Sequence, residues 1–194
     1  IELMVRSLIE CLELNYVKMS CKMKTKANSS SNYRRIQRFV ASFSIGQGVL
    51  ATWIVGKVCS DEDSRLTLAM DRTNWKFGKS NINYLVLSVC YKRMAIPLFW
   101  KLLDKRGNSS SKERIDLIEE FIKVFGSHRI DFILGDREFI GKKWQDWLIE
   151  MEIPFYLRIR NDAIVTINGK ETKASKLFKK LNVGEHLHKN NLVI

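Results

Sequence analysis

The chain has 194 residues, enough for one sizeable domain or a domain with an appendage, and 45% of them are apolar, which excludes global disorder. A net charge of +12 points to a polyanionic partner, most simply nucleic acid. No apolar run approaches the roughly 20 residues of a membrane-spanning helix, so a membrane is not expected as a partner. The four cysteines, Cys11, Cys21, Cys59 and Cys90, form no C-x-x-C pair and lie far in sequence from His128, His186 and His188. That argues against a zinc site and fits a reducing, cytoplasmic setting. The charges at Glu2, Arg6, Glu10 and Glu13 do not suit a secretory leader. The sequence starts at Ile1 and breaks off in the apolar "NNLVI", and it reads as part of a longer chain.

Residues 1–14 carry Ile1, Met4, Val5, Leu8, Ile9 and Leu12 at helical spacing. From Tyr16 to Arg38 the chain holds seven basic residues and no acid. Lys22, Lys24, Lys26, Arg34, Arg35 and Arg38 are the candidate contacts to a DNA backbone; the alternative is a solvated charged face. "NSSSN", from Asn28 to Asn32, predicts a linker or turn, and "YRRIQRFVASF" a helix with Ile36, Phe39, Val40 and Phe43 on one side. "GVLATWIVGKV" predicts a short apolar helix or core segment, and "SDEDSR" a surface loop.

The period then becomes two. Leu66, Leu68 and Met70 alternate with Thr67, Ala69 and Asp71, which predicts a strand with Asp71 at its end. "YLVLSVCY", 84–91, is almost continuously apolar, as in a central strand covered on both faces. "AIPLFW", 95–100, is a third strand, placed at an edge by Pro97. Ser110 and Glu113 form a capping-box pattern before a helix over 112–125. "RIDFILG" is a fourth strand with Asp136 directly after it. "KKWQDWLIEME" is a second helix with Trp144, Trp147, Leu148 and Met151 inward, and "FYLRI" a fifth strand. "AIVTINGKETKASKLF" predicts a strand and an Asn168-Gly169 hairpin turn.

The order β-β-β-α-β-α-β is an α/β pattern that closes most simply as a mixed sheet, with the first and fourth strands adjacent in the middle. Asp71 and Asp136, 65 positions apart, would then stand together. A lone acid after a strand is commonly a turn residue or a helix N-cap. Two acids at neighbouring strand ends repel unless a cation lies between them. Oxygen donors of this kind suit Mg²⁺ or Mn²⁺, whose chemistry at phosphodiesters would also use the basic charge. Asp71 and Asp136 are therefore the candidate catalytic and metal-binding residues. Trp75 and Phe77 either stack on an unpaired base or pack at the core rim. Arg137 touches a phosphate or pairs with Asp136. Arg158 and Arg160 alternate along the fifth strand and could face the DNA. Glu138 reads as a surface residue.

"LAMDRTNWKFG" followed by "ILGDREFIG" resembles bacterial insertion-sequence transposases of the DDE superfamily, in the group with a Tyr-Arg-Glu-Lys signature. The resemblance covers about residues 66–160. It implies a ribonuclease-H-like catalytic core over 61–160 after a helical, basic DNA-binding region over 1–60. It also implies divalent-metal cleavage at transposon ends with strand transfer into target DNA, a homo-oligomer when full length, and a nucleoid-associated bacterial location. Asp71 and Asp136 match the first two catalytic acids. The third acid belongs to Y-x-x-R-x-x-x-E-x-x-x-x-x-x-K, and none of Tyr16, Tyr33, Tyr84, Tyr91 and Tyr156 has Arg three residues on. Residues 161–194 read as the start of a β-rich insertion, so this chain is expected to be catalytically weak or inactive. The alternatives are a non-catalytic DNA-binding or inhibitory fragment, or a nuclease of the same fold that uses Glu171, with 34 residues between it and Asp136.

Overall fold

The structure is a computed structural model that describes all residues except 60, 62, 79, 183, 188–191 and 194, and only the backbone of 77, 192 and 193. The loop expected over 60–65 and the side chain of Phe77 thus fall wholly or partly outside the described residues. Two compact units are present, Ile1–Gly46 and Gln47–Ile194. No single helix among the described residues is long and apolar enough to cross a membrane.

The first unit contains α1 (Glu2–Cys11), α2 (Tyr16–Lys22) and α3 (Ser29–Ser42). Helix α1 is shorter than its apolar spacing predicts, because Leu12 turns into the left-handed region at φ 54°. The unforeseen α2 starts where the Asn15 side chain accepts the Val17 and Lys18 N–H groups. The expected linker is also a helix start. The Asn28 side chain accepts the Ser31 N–H at 2.9 Å, so 29–32 form the first turn of α3. Met19, Met23 and Ile36 make the small core, with Met4, Leu8 and Tyr16 against it.

The second unit begins with α4 (Gln47–Val58). Although the sequence grouped this helix with the N-terminal region, it buries Ala51 and Val55 in the second unit's core. The Gln47 side chain donates to the Trp100 carbonyl at 3.0 Å and accepts the Trp100 N–H at 2.8 Å. It thereby satisfies both backbone groups of one residue, Trp100, in an edge strand. The break between the units accordingly lies at 46/47, before this helix.

There follow β1 (Leu66–Phe77), β2 (Ser80–Tyr91), β3 (Met94–Leu102), α5 (Ser111–Phe125), β4 (Ile130–Gly135), α6 (Lys142–Glu150) and β5 (Phe155–Leu157). The five strands form one sheet in the order β3-β2-β1-β4-β5. Strands β1, β2 and β3 pair antiparallel, whereas β1–β4 and β4–β5 are parallel. This is the mixed α/β sheet expected from the order of elements, with β1 beside β4 and the Pro97 strand at an edge. The predicted capping box of α5 is present at Ser110 and Glu113.

Leu66, Leu68, Met70, Leu85, Leu87, Val89 and Ile133 pack against Leu117, Ile118 and Phe121 of α5 and Trp144 and Leu148 of α6. The other face is less covered: in β2, Tyr84, Val86 and Cys90 are only half-buried, and Leu134 of β4 is exposed. Strand β2 is therefore fully covered on one face only, not on both. Met151, expected inward, caps the C-terminus of α6 and is exposed.

A smaller sheet joins β6 (Ile164–Ile167), β7 (Lys170–Lys173) and β8 (Leu192–Val193) in the order β7-β6-β8, with α7 (Ala174–Phe178) after β7. The expected hairpin turn lies at Asn168 (φ 49°) and Gly169 (φ 78°), both in the left-handed region that a two-residue turn of this hand requires.

Candidate functional site

Asp71 does not end its strand. Strand β1 continues six residues further, to Phe77, paired with β2 throughout. What ends at Asp71 is the parallel ladder to β4, whose last rung is Met70–Gly135. Asp71 and Asp136 each follow that rung by one residue. Neighbouring strands are about 4.8 Å apart, so the two acids leave the ladder on adjacent chains. Gly135 leaves room for its side-chain neighbours, because a Cβ there would come within 2.7 Å of Leu157 Cδ2 and 3.3 Å of Phe139 Cδ2.

The two carboxylates are held in the same manner. Asp71 Oδ1 accepts the Arg72 N–H at 2.8 Å, and Asp136 Oδ1 accepts the Arg137 N–H at 2.7 Å. Asp136 also caps a short 3-10 turn over Arg137–Phe139. Both acids are exposed, and these hydrogen bonds occupy only one oxygen of each.

Asp136 and Arg137 line an open cleft of about 620 Å³ with Arg158, Ile159, Arg160, Asn161 and Asp162. Strand β5 stops at Leu157, so Arg158 and Arg160 belong to the segment after it rather than to the strand. The Arg158 N–H still donates to the Gly135 carbonyl at 3.0 Å, which fixes its backbone beside Asp136. Its guanidinium lies 3.7 Å from Asp136 Oδ1, and the Arg158 side chain is 83% exposed, so this pair is weak and easily exchanged.

Beneath the acids is a polar cluster that sequence reasoning missed. Arg72 follows Leu66, Leu68 and Met70 on the core-facing phase of β1. Its Nε and Nη2 donate to the two carboxylate oxygens of Glu138, both at 2.9 Å, with side-chain exposures of 12% for Arg72 and 24% for Glu138. Glu138 is thus the partner of Arg72 rather than a surface acid. Arg72 also donates to Asn83 Oδ1 at 3.2 Å and Asn108 Oδ1 at 3.3 Å. Buried Asn83 passes its amide protons to the carbonyls of Lys105 and Gly107, both at 3.1 Å. Arg114, also buried, donates to the Glu138 carbonyl at 3.0 Å and lies over the Phe139 ring. The hydrogen bond to Glu138 raises the Arg72 pKa above its ordinary value, whereas burial lowers that of Arg114. The signal was in the sequence: Arg72 and Asn83 interrupt apolar alternations in the buried phase.

Glu171 sits exposed in β7, opposite Thr166 in the smaller sheet, and not at the start of a helix. Among the described residues, no three His, Cys, Asp or Glu side chains converge as a metal site, so neither Glu171 nor Glu138 completes a triad with Asp71 and Asp136. Trp75 is 44% exposed and stacks on Tyr84 with ring centroids 5.8 Å apart. In the first unit, Lys22, Lys24, Lys26, Arg34, Arg35 and Arg38 are all exposed. Lys24 pairs with Glu10 at 3.2 Å, while the other five have no carboxylate partner among the described residues.

No family model matches the chain, and no curated protein matches it. Solved structures do align. The HTLV-2 integrase catalytic core domain in complex with magnesium is 16% identical, with TM-score 0.39, covering 49% of this chain and 60% of that one. The simian T-cell lymphotropic virus intasome in complex with a PP2A regulatory subunit is 14% identical, with TM-score 0.40 over 52% of this chain and 34% of that one. The Mos1 strand transfer complex is 9% identical, with TM-score 0.34 over 78% of this chain and 56% of that one. The chain thus spans about three-fifths or less of these structures.

Proposed function

We propose that the second unit is the catalytic core of a DDE-type DNA transposase with a ribonuclease-H-like sheet, and that Asp71 and Asp136 are two of its metal-binding acids. The observation that carries this reading is the β1–β4 ladder, which ends at Met70–Gly135 and releases the two acids on adjacent strands. The donor set suits a hard divalent cation: both groups are exposed carboxylates, each with one oxygen outside its hydrogen bond to the next amide. Mg²⁺ and Mn²⁺ accept one or two carboxylates and complete their shell with water and phosphate oxygens. Such an ion would polarise a phosphodiester oxygen and lower the pKa of a water beside it.

The chain's own residues then divide the work. Asp71 and Asp136 hold the cation. Arg137, Arg158 and Arg160 present positive charge along the cleft at Asp136, where a DNA phosphate would take Arg158 from its loose contact with that acid. Lys22, Lys24, Lys26, Arg34, Arg35 and Arg38 of the first unit grip the backbone of duplex DNA at transposon ends or target. Such contacts position the protein but do not read sequence. The full activity is cleavage at transposon ends and strand transfer in the bacterial nucleoid, carried out by a homo-oligomer. Because no third acid joins the pair among the described residues, binding should exceed catalysis in this 194-residue chain.

Fluorescence anisotropy with a labelled DNA duplex tests this. Mn²⁺ should tighten binding by the 194-residue chain and have no such effect on an Asp71→Asn/Asp136→Asn variant. The reading fails if Mn²⁺ acts equally on both proteins or on neither.

A further inference from the structure

The two acids stand on separate chain segments, and their spacing depends on what ties those segments together below the site. The β1–β4 ladder ends one residue before each acid. Beyond it, Arg72 and Glu138 make the first connection: a fork with both donor–acceptor distances at 2.9 Å, immediately after Asp71 on one side and two residues after Asp136 on the other. From this geometry we infer that the Arg72–Glu138 pair is a positioning device that sets the separation of the Asp71 and Asp136 carboxylates. The inference rests on the function proposed above.

Three features support a positioning role over an ordinary surface pair. The fork is bidentate and mostly covered, so it fixes direction as well as distance. Both ends are anchored: Arg72 is braced by Asn83 and Asn108, and the Glu138 carbonyl by the buried Arg114. The lever is also short. Asp71 is fastened to the Arg72 N–H, and Asp136 to the Arg137 N–H within the turn that carries Glu138. The Phe139 N–H closes that turn on the Asp136 carbonyl at 2.9 Å, while the Phe139 ring is fully buried. Rotation of Glu138 would turn the Asp136 carboxylate with it. In D-R…D-R-E-F, then, the Arg after the first acid and the Glu after the second serve each other.

The test uses the 194-residue chain with Arg72→Met, Arg72→Lys, Glu138→Gln and Arg72→Met/Glu138→Gln. Each variant is first checked for a cooperative thermal transition, and Mn²⁺ affinity is then read by calorimetry well below it. Groups that orient metal ligands change affinity about 10–100-fold. Arg72→Met and Glu138→Gln should each weaken Mn²⁺ about 10-fold, the double variant no further, and Arg72→Lys should recover part of the loss. Folded variants with wild-type Mn²⁺ affinity, or losses that multiply in the double variant, would overturn the inference.

A metal-free readout separates this inference from the functional reading. Hydrogen exchange at the Arg137 and Phe139 amides should accelerate in Glu138→Gln and in Arg72→Met, and less in Arg72→Lys. Faster exchange in a protein whose wild type binds no Mn²⁺ would leave the positioning role intact and the metal reading wrong. Unchanged exchange would refute the positioning role whatever the metal does.

Discussion

Asp71 and Asp136 leave the parallel β1–β4 ladder at the same level, one residue past the Met70–Gly135 rung. Gly135 lies on that rung under the side chains of Leu157 and Phe139. A Val there would drive its side chain into Leu157 and Phe139, beside the turn that carries Asp136. Overpacking of this kind costs about 1–3 kcal/mol. Gly135→Val should lower stability by that amount in urea unfolding and weaken Mn²⁺ binding as well. A variant with unchanged stability would mean that Leu157 simply swings aside.

Much of this arrangement was legible in the sequence. The alternation in "LTLAM", Pro97 at an edge and the succession β-β-β-α-β-α-β pointed to the order of strands, and the capping box at Ser110 marked the start of α5. The polar underside left a trace in the sequence, but its pairing was not legible. Period-two reading counts apolar positions and passes over Arg72 and Asn83, although both occupy the buried phase. Their partners, Glu138, Asn108 and the carbonyls of Lys105 and Gly107, are far away in sequence, so only the folded chain pairs them. The break between compact units at 46/47 was not legible for a related reason. Helix α4 is apolar on most sides, and its sequence carries no sign of which unit receives it.

Phe139 links the site to the core. It is fully buried, packs beneath the Arg114 guanidinium and follows Glu138 directly. Phe139→Ala should cost about 3–5 kcal/mol, as for other buried phenylalanines. Chemical denaturation measures this; a loss below about 1 kcal/mol would contradict the packing described.

The capping region of α5 should give the protein an acid-sensitive element. Burial alone would push the Glu113 carboxyl up, but hydrogen bonds from Lys105 and Ser110 outweigh it and hold the pKa below its ordinary value. A pKa lowered in the folded state contributes stability above the unfolded carboxylate value, about 4.3, and loses it as pH falls through the folded value. Thermal melts of wild type and Glu113→Gln should therefore differ near pH 6 and converge only after pH has fallen through the lowered folded-state value. Parallel curves would remove Glu113 from the acid response.

The basic face of α3 predicts a salt effect. Neutralising Arg34, Arg35 and Arg38 together should weaken DNA binding on all sequences alike and flatten the log–log salt dependence by roughly 0.9 per lost phosphate contact. Gel shifts over a salt series measure the slope, and an unchanged slope would place the contacts elsewhere.

In the function proposed above, Asp71 and Asp136 share one cation. Calorimetric titration of Mn²⁺ into wild type, Asp71→Asn, Asp136→Asn and the double variant tests this sharing. A shared ion predicts one site in the wild type, a loss of about 10-fold or more in either single variant, and little further loss in the double variant. Wild-type affinity in the double variant, or two independent sites removed one at a time, would contradict it.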